Sequence, residues 1–307
     1  MPTLIPVILP IDEHIPGQGQ SETINALYTQ SRCEKVSLFQ STVNCALTLA
    51  KPENVITIAP FEYASLINEQ LAQIHFGLRN HVLLEPIFGK NTGAISAAAH
   101  YAIDKFTDPV LWVLPIHQAS YYTRVLKHAV TYCSRAAFEG AIVLFGLKPF
   151  KPDTNYAYML TGKHIELFDR LQHLRMFVPH PNDQTIKSMW EQPYCLANSG
   201  IFMISATHWL SYVGRTVDAL AEESHKQSKD SYYGPIFNPE PYSQLPTQSI
   251  SKFLGLLSQR HQHPIACYTL PIDTSKQNGW YQLWQESQID GKGQPLERFL
   301  SKIHHAA

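Results

Sequence analysis

The sequence predicts an α/β fold, a Rossmann-like, doubly wound and mainly parallel sheet with helices on both faces. Two observations carry this. Short, continuous apolar runs recur along the first half of the chain, and amphipathic stretches of helical period separate them. Unbroken apolar runs mark strands buried on both faces, and their alternation with helices marks βαβ units.

The elements follow in order. Leu4–Leu9 is a strand closed by Pro10. Leu38–Ala50 has helical spacing through Leu38, Val43 and Leu47. Asn54–Ile58 is a second strand, and Glu62–His75 a helix with Leu66, Ile67, Leu71 and Ile74 on its apolar face. His81–Leu84 is a third strand ended by Glu85-Pro86, and Gly93–Phe106 an Ala-rich helix. Val110–Leu114 is a fourth strand stopped by Pro115, Tyr121–Phe138 a helix, and Ala141–Gly146 a fifth strand. Right-handed crossovers then gather the C-terminal strand ends along one edge, where ligands bind in such sheets.

The second half is less regular. Tyr156–Gly162, Leu174–Val178, Ile201–Ile204 and Ile265–Leu270 read as strands. Asp183–Gln192, Thr207–Glu223, Ser249–Arg260, Trp280–Glu286 and Leu296–Ile303 read as helices. Lys226–Gln248, rich in Ser, Pro and Tyr, reads as a long surface segment. Trp190, Trp209, Trp280 and Trp284 fall at helical positions as core or interface anchors. No internal repeat or low-complexity tract divides the 307 residues.

Composition narrows the class. A hydrophobic share of 44% excludes intrinsic disorder. Lys plus Arg, 24, balances Asp plus Glu, 25, which argues against a nucleic-acid binder or an anionic-membrane binder acting through bulk charge. No apolar run is long enough for a membrane helix, and the N-terminus lacks the basic start of a signal peptide. Five scattered cysteines with no CxxC read as reduced thiols, so a cytoplasmic location is expected.

Eight segments, in order, carry a resemblance. They are Pro6-Val7-Ile8-Leu9, Ser37-Leu38-Phe39-Gln40-Ser41-Thr42, Asn68-Glu69-Gln70-Leu71, and Leu84-Glu85-Pro86 with Lys90-Asn91-Thr92. Then come Val113-Leu114-Pro115, Phe145-Gly146-Leu147-Lys148-Pro149 with Pro152-Asp153-Thr154-Asn155-Tyr156, Asn198-Ser199-Gly200-Ile201-Phe202, and Leu270-Pro271-Ile272-Asp273 with Gly279-Trp280 and Leu283-Trp284. Together they resemble the bacterial mannose-1-phosphate guanylyltransferases (GDP-mannose pyrophosphorylases). The resemblance implies a nucleotide-diphospho-sugar transferase fold. It implies the family's chemistry, in which mannose 1-phosphate attacks the GTP α-phosphate with magnesium assisting and pyrophosphate leaving. It also implies a nucleotidyltransferase-like domain over residues 1–290. Residues 291–307 would form a helical tail where relatives begin a β-helix or isomerase domain.

The same resemblance shows departures. After the first strand the family supplies a glycine-rich basic loop, because a triphosphate needs backbone N–H donors and cations. This sequence has no Lys or Arg before Arg32, and it carries Asp12, Glu13 and Glu22 there. Like charge at close range costs about 1 kcal/mol or more. Gly17-Gln18-Gly19 reads first as a turn. His117 stands at the position of the family's first metal aspartate, and no Asp or Glu lies between Pro109 and Phe138. Imidazole is a poor magnesium ligand. No carboxylate stands in Thr274–Asn278, where the second is expected, and Asp273 fits a strand end. Phe177-Val178-Pro179-His180-Pro181 replaces the sugar-phosphate motif E-K-P, and Ser251 replaces the aspartate of S-I-D-Y. His261-x-His263 and His304-His305 read as solvated surface histidines.

What is retained is neutral or shape-determining. By resemblance, Glu85, Pro86, Asn91 and Thr92 would border the nucleotide, and Asp153, Tyr156 and Asn198 the sugar. Each also has a structural reading: Asn91-Thr92 as a helix N-cap, Asn198-Ser199-Gly200 as a turn. The expectation is a catalytically impaired guanylyltransferase-like protein, a pseudoenzyme. It would have no catalytic or metal residues and no cofactor, magnesium being the cofactor of active relatives. It would bind a sugar nucleotide such as GDP-mannose, or a protein partner or second copy. The alternative is an active mannose-1-phosphate guanylyltransferase with a rearranged site. A glycosyltransferase is a third class, against which stands the absence of a D-x-D metal motif.

Overall fold

The computed structural model describes residues 2–10, 28, 36–116, 123–154, 156–179, 181–260 and 264–272. The expected elements beyond residue 272 lie outside the described residues. Among the described residues, nine strands form one sheet in the order β3-β2-β1-β4-β8-β5-β9-β7-β6. They are β1 Thr3–Leu9, β2 Ile56–Pro60, β3 Val82–Glu85, β4 Pro109–Pro115, β5 Ile142–Leu147, β6 Tyr158–Ile165, β7 Phe168–Val178, β8 Cys195–Ser205 and β9 Ile265–Leu270. β1 pairs in parallel with β2 and β4, and β2 with β3. β8 runs antiparallel between β4 and β5, so all five strands expected in the first half point one way. β9 continues that direction beside β5. The N-terminal part of β8 also pairs with β6, which closes β8, β5, β9, β7 and β6 into a ring of strands.

The continuous apolar runs explain the layers. In β1, Ile5, Val7 and Leu9 join one core, and Ile8 joins the other. β4 divides likewise: Leu111 and Val113 face one way, Val110, Trp112 and Leu114 the other. A strand with both faces covered can be apolar throughout. One layer holds α1 Leu38–Ala46, α2 Ala64–Ile74 and α4 Thr123–Phe138. The other holds α3 Asn91–Lys105, α6 Ala206–Val213 and α9 Ile250–Arg260. The alanines of α3 let it lie close to its neighbours, and at Gly93 an added Cβ would stand 2.7 Å from Leu245 Cδ1. A smaller cluster joins β6 and β8 to α5 Asp183–Trp190.

Two motif-like segments meet in a saturated clasp between α1 and α2. Ser37 Oγ accepts from the Gln40 N–H (3.0 Å), and Gln40 Oε1 accepts from the Ser37 N–H (3.1 Å), a reciprocal N-terminal cap. Ser37 Oγ donates to Gln70 Oε1 (2.5 Å), and Gln70 Nε2 donates to the Tyr28 carbonyl (2.6 Å). Gln40 Nε2 donates to the Gln70 carbonyl (3.2 Å) and to Gln73 Oε1 (2.8 Å).

Four expectations need correction, the first being the strand expected over Leu174–Val178, which is the eleven-residue β7. The helix expected over Thr207–Glu223 is two helices, α6 and α7 Arg215–Lys226, broken at Gly214 (φ +88°). The strand expected over Ile201–Ile204 is the eleven-residue β8. Lys226–Gln248 is not a surface segment throughout. It contains α8 Pro239–Gln244, and Phe237, Tyr242 and Leu245 are buried. Its polar composition concealed three apolar anchors spaced through it.

Candidate functional site

The C-terminal ends of β1 and β4 open onto a cavity of about 30 Å³, room for about one or two waters. Its walls are Leu9 of β1, Val113 and Pro115 of β4, Asn198, Gly200 and Phe202 of β8, Asn91 at the start of α3, and Ser249, Ile250 and Ser251 at the start of α9. This is the edge where a doubly wound sheet places its ligand.

The local sequence explains each position. Asn91 is the first residue of α3. The N-cap reading of Asn91-Thr92 is corrected here, because the cap position belongs to Lys90 and both residues are buried inside the first turn. Asn198-Ser199-Gly200 is likewise not a turn. It is an irregularity within β8, where pairing with β5 shifts register between Leu144 and Gly146. Gly200 takes φ +75°, a conformation that favours glycine. Ser199 Oγ donates to the Phe145 carbonyl (2.6 Å), which pins the irregular stretch to β5. Ser249 Oγ accepts from the Lys252 N–H (3.2 Å) at the start of α9.

Asn91 is 3% exposed and Asn198 is 7% exposed, and neither carboxamide has a hydrogen-bond partner among the described residues. Neither amide is among the fully buried unpaired polar atoms of the described residues, so the polar ends of both open onto the cavity, where water or one polar group can meet them. The resemblance placed these two residues on the nucleotide side and the sugar side. The structure brings them together.

The other expected residues lie elsewhere. Glu85 is buried and accepts from Tyr242 Oη at 2.5 Å. Burial, and next the Glu85 carboxylate, push the Tyr28 and Tyr242 hydroxyls well above the usual tyrosine range. Pro86 is half-buried. Thr92 Oγ1 donates to the Gln248 carbonyl (3.3 Å), and Lys90 Nζ donates to the carbonyls of Ser243 (3.1 Å) and Leu245. Asp153 and Tyr156 are half-buried beyond the cavity walls, and the Asp153 backbone exchanges hydrogen bonds with Tyr158 Oη (3.1 and 3.0 Å). Asp12, Glu13, Gly17, Gly19, His117, His180 and Asp273 lie outside the described residues. Ser249 and Ser251 were legible only as a motif remnant, and Gly200 as part of a presumed turn.

Among the described residues, the cavity offers two carboxamides, two hydroxyls and no carboxylate. That donor set does not fit magnesium, which is held through carboxylates and phosphates. No three His, Cys, Asp or Glu side chains gather to hold a metal among the described residues. The described cysteines, Cys45, Cys133, Cys195 and Cys267, are buried and unbridged. Burial pushes the Cys195 thiol up to about 11 and that of Cys267 to about 12.

The fold is of the nucleotidyltransferase α/β type, with a cavity at its strand ends. The structure of the Thermus thermophilus protein called mannose-1-phosphate geranyltransferase matches with a TM-score of 0.65 and 19% identity, over 87% of this chain and 74% of that one. The Helicobacter pylori protein called mannose-6-phosphate isomerase matches with a TM-score of 0.66 and 18% identity, over 88% and 98%. In sequence the chain is related to mannose-1-phosphate guanylyltransferases. It is 25% identical to that of Escherichia coli over 272 residues, 85% of this chain and 56% of the relative. It is 25% identical to that of Sinorhizobium fredii over 265 residues, 85% and 50%. The chain thus spans about half the length of these curated relatives. No protein-family model matches it. Among the described residues, no helix is long and apolar enough to cross a membrane.

Proposed function

We propose that this guanylyltransferase-like chain binds a sugar nucleotide of the GDP-mannose kind through its uncharged ends, and does not run nucleotidyl transfer at a normal rate. The observation that carries the reading is the pair of carboxamides, Asn91 and Asn198, that open unengaged onto one cavity. The cavity has room for a single polar group, and an amide donates and accepts, so the pair suits the edge of a base or a sugar hydroxyl reaching in from outside. The charged groups nearest in sequence to the nucleotide side are turned inward, Glu85 to Tyr242 and Lys90 to backbone carbonyls. The sequence adds acidic Asp12 and Glu13, with no cation before Arg32. Phosphates would be poorly compensated, so affinity is modest and independent of magnesium. Buried thiols suit a reducing, cytoplasmic setting.

The experiment is pyrophosphate release from GTP and mannose 1-phosphate with magnesium. Each lost cation or metal ligand removes roughly 2–4 kcal/mol of transition-state stabilisation, by analogy with a lost oxyanion donor. Release at background is expected. Turnover of about 1 s⁻¹ or faster would replace this reading with that of an active guanylyltransferase.

A further inference from the structure

A second concave feature lies on the other face of the sheet from the Asn91–Asn198 cavity and shares no lining residue with it. It is an open cleft of about 450 Å³ between α4 and the start of β7. Lys127, His128, Thr131 and Tyr132 of α4 form one wall, and Asp169 and Arg170 of β7 the other. Small-molecule sites occupy clefts of roughly 300–1,000 Å³.

The sequence sets the charge of this cleft. α4 carries Arg124, Lys127, His128 and Arg135, and no Asp or Glu. Leu126, Ala129, Val130 and Cys133 bury one side of the helix, which leaves Lys127, His128 and Thr131 exposed on the other. Arg135 is paired with Glu139 (2.9 Å). Lys127, His128 and Arg170 have no ion-pair partner among the described residues.

The one carboxylate of the lining is already engaged. Tyr132 Oη donates to Asp169 Oδ1 (2.6 Å) and accepts from the Arg170 N–H (3.2 Å). Burial, and next the bond to Asp169, hold the Tyr132 hydroxyl above the usual tyrosine range, so it keeps its proton and remains the donor. The Tyr132 ring lies 6.1 Å from that of Tyr268 in β9. The Arg170 guanidinium lies 5.7 Å from the centre of the same Tyr132 ring. One tyrosine thus ties down the anion and seats the guanidinium beside it. A guanidinium so held loses less entropy on binding and can give two parallel hydrogen bonds to a phosphate, and an ammonium adds a point charge. Single unpaired cations are common on any surface. Here two of them and an imidazole line one cleft whose carboxylate is taken.

We propose that this cleft is a second small-molecule site, for a phosphate-bearing ligand, with Arg170 and Lys127 holding the phosphate. The site stands apart from the Asn91–Asn198 cavity and does not rest on the function proposed for it.

The test is calorimetric titration of the full chain with inorganic pyrophosphate in the absence of magnesium. Wild type should bind with a dissociation constant on the order of 0.1–1 mM, the strength of a few solvent-exposed charge contacts. Raising the salt should weaken it. Arg170→Glu and Lys127→Glu should each weaken binding by about tenfold or more, since each sets like charges together. Both side chains are exposed, so melting temperatures should stay unchanged. Lys187→Glu makes the same change of charge on α5, outside the cleft, and should leave binding as it is. No binding by wild type, binding that survives both Arg170→Glu and Lys127→Glu, or an equal loss in Lys187→Glu would overturn the proposal. So would a loss caused by Asn198→Ala, which would put pyrophosphate in the cavity instead.

Discussion

The clasp between α1 and α2 and the cavity at the ends of β1 and β4 are both made of carboxamides and hydroxyls from motif-like segments. In the clasp, Ser37, Gln40 and Gln70 engage one another and the backbone. In the cavity, Asn91 and Asn198 are just as buried but their amides are open. The difference separates two uses of the same chemistry. Saturated amides hold elements together, and open ones leave their donors and acceptors to water or another group. A motif can therefore persist for architecture while the charged chemistry around it changes, and a shared motif alone does not distinguish the two.

The comparison breaks first at Gln70. Gln70→Ala removes the acceptor of Ser37 Oγ and the donor to the Tyr28 carbonyl, leaving buried groups unpaired. Denaturant titration should show a loss of about 2–4 kcal/mol. A loss under about 1 kcal/mol would mean that the clasp does not fasten α1 to α2.

Alkali should act next. Tyr28 and Tyr242 are raised well above the usual tyrosine range by burial and then by Glu85, while burial raises Tyr101 to about 12. The unfolded chain therefore releases these protons before the folded one does. Stability is full below the unfolded values, near 9 for thiols and 10 for tyrosines, and falls as pH rises through them, by up to about 1.4 kcal/mol per pH unit per group. Melting temperatures from pH 8 to 11 should fall with growing slope. A flat profile would remove the buried tyrosines from the account.

Ser37→Ala should be milder, about 1 kcal/mol by denaturant titration, the ordinary value of a helix cap. Asn91→Ala and Asn198→Ala should change stability least, within about 0.5 kcal/mol, because no partner among the described residues is left unpaired. If either lost as much as Gln70→Ala, the cavity would be a second clasp.

The first half of the fold was legible because its signals are local. β1, β3, β4 and β5 begin and end within one residue of their apolar runs. β2 is offset, Ile56–Pro60 against the expected Asn54–Ile58, because Pro52–Asn54 form a 3₁₀ turn. The second half depends on distant partners. The length of β8 is set by pairing with β4, β5 and β6, and the burial of Tyr242 by Glu85, 157 residues away. For the cavity, residue type identified Asn91 and Asn198. Spacing could not show that Glu85 and Lys90 turn inward, or that Ser249 and Ser251 complete the wall.

The central claim is that the open carboxamides recognise a sugar nucleotide by its neutral ends. Calorimetric titration of GDP-mannose and GTP, each with and without magnesium, against wild type and Asn198→Ala tests it most directly. Modest GDP-mannose binding, unchanged by magnesium and weakened about tenfold in Asn198→Ala, is the predicted result, the loss of one or two hydrogen bonds. Tight, magnesium-dependent GTP binding that ignores Asn198→Ala would contradict it.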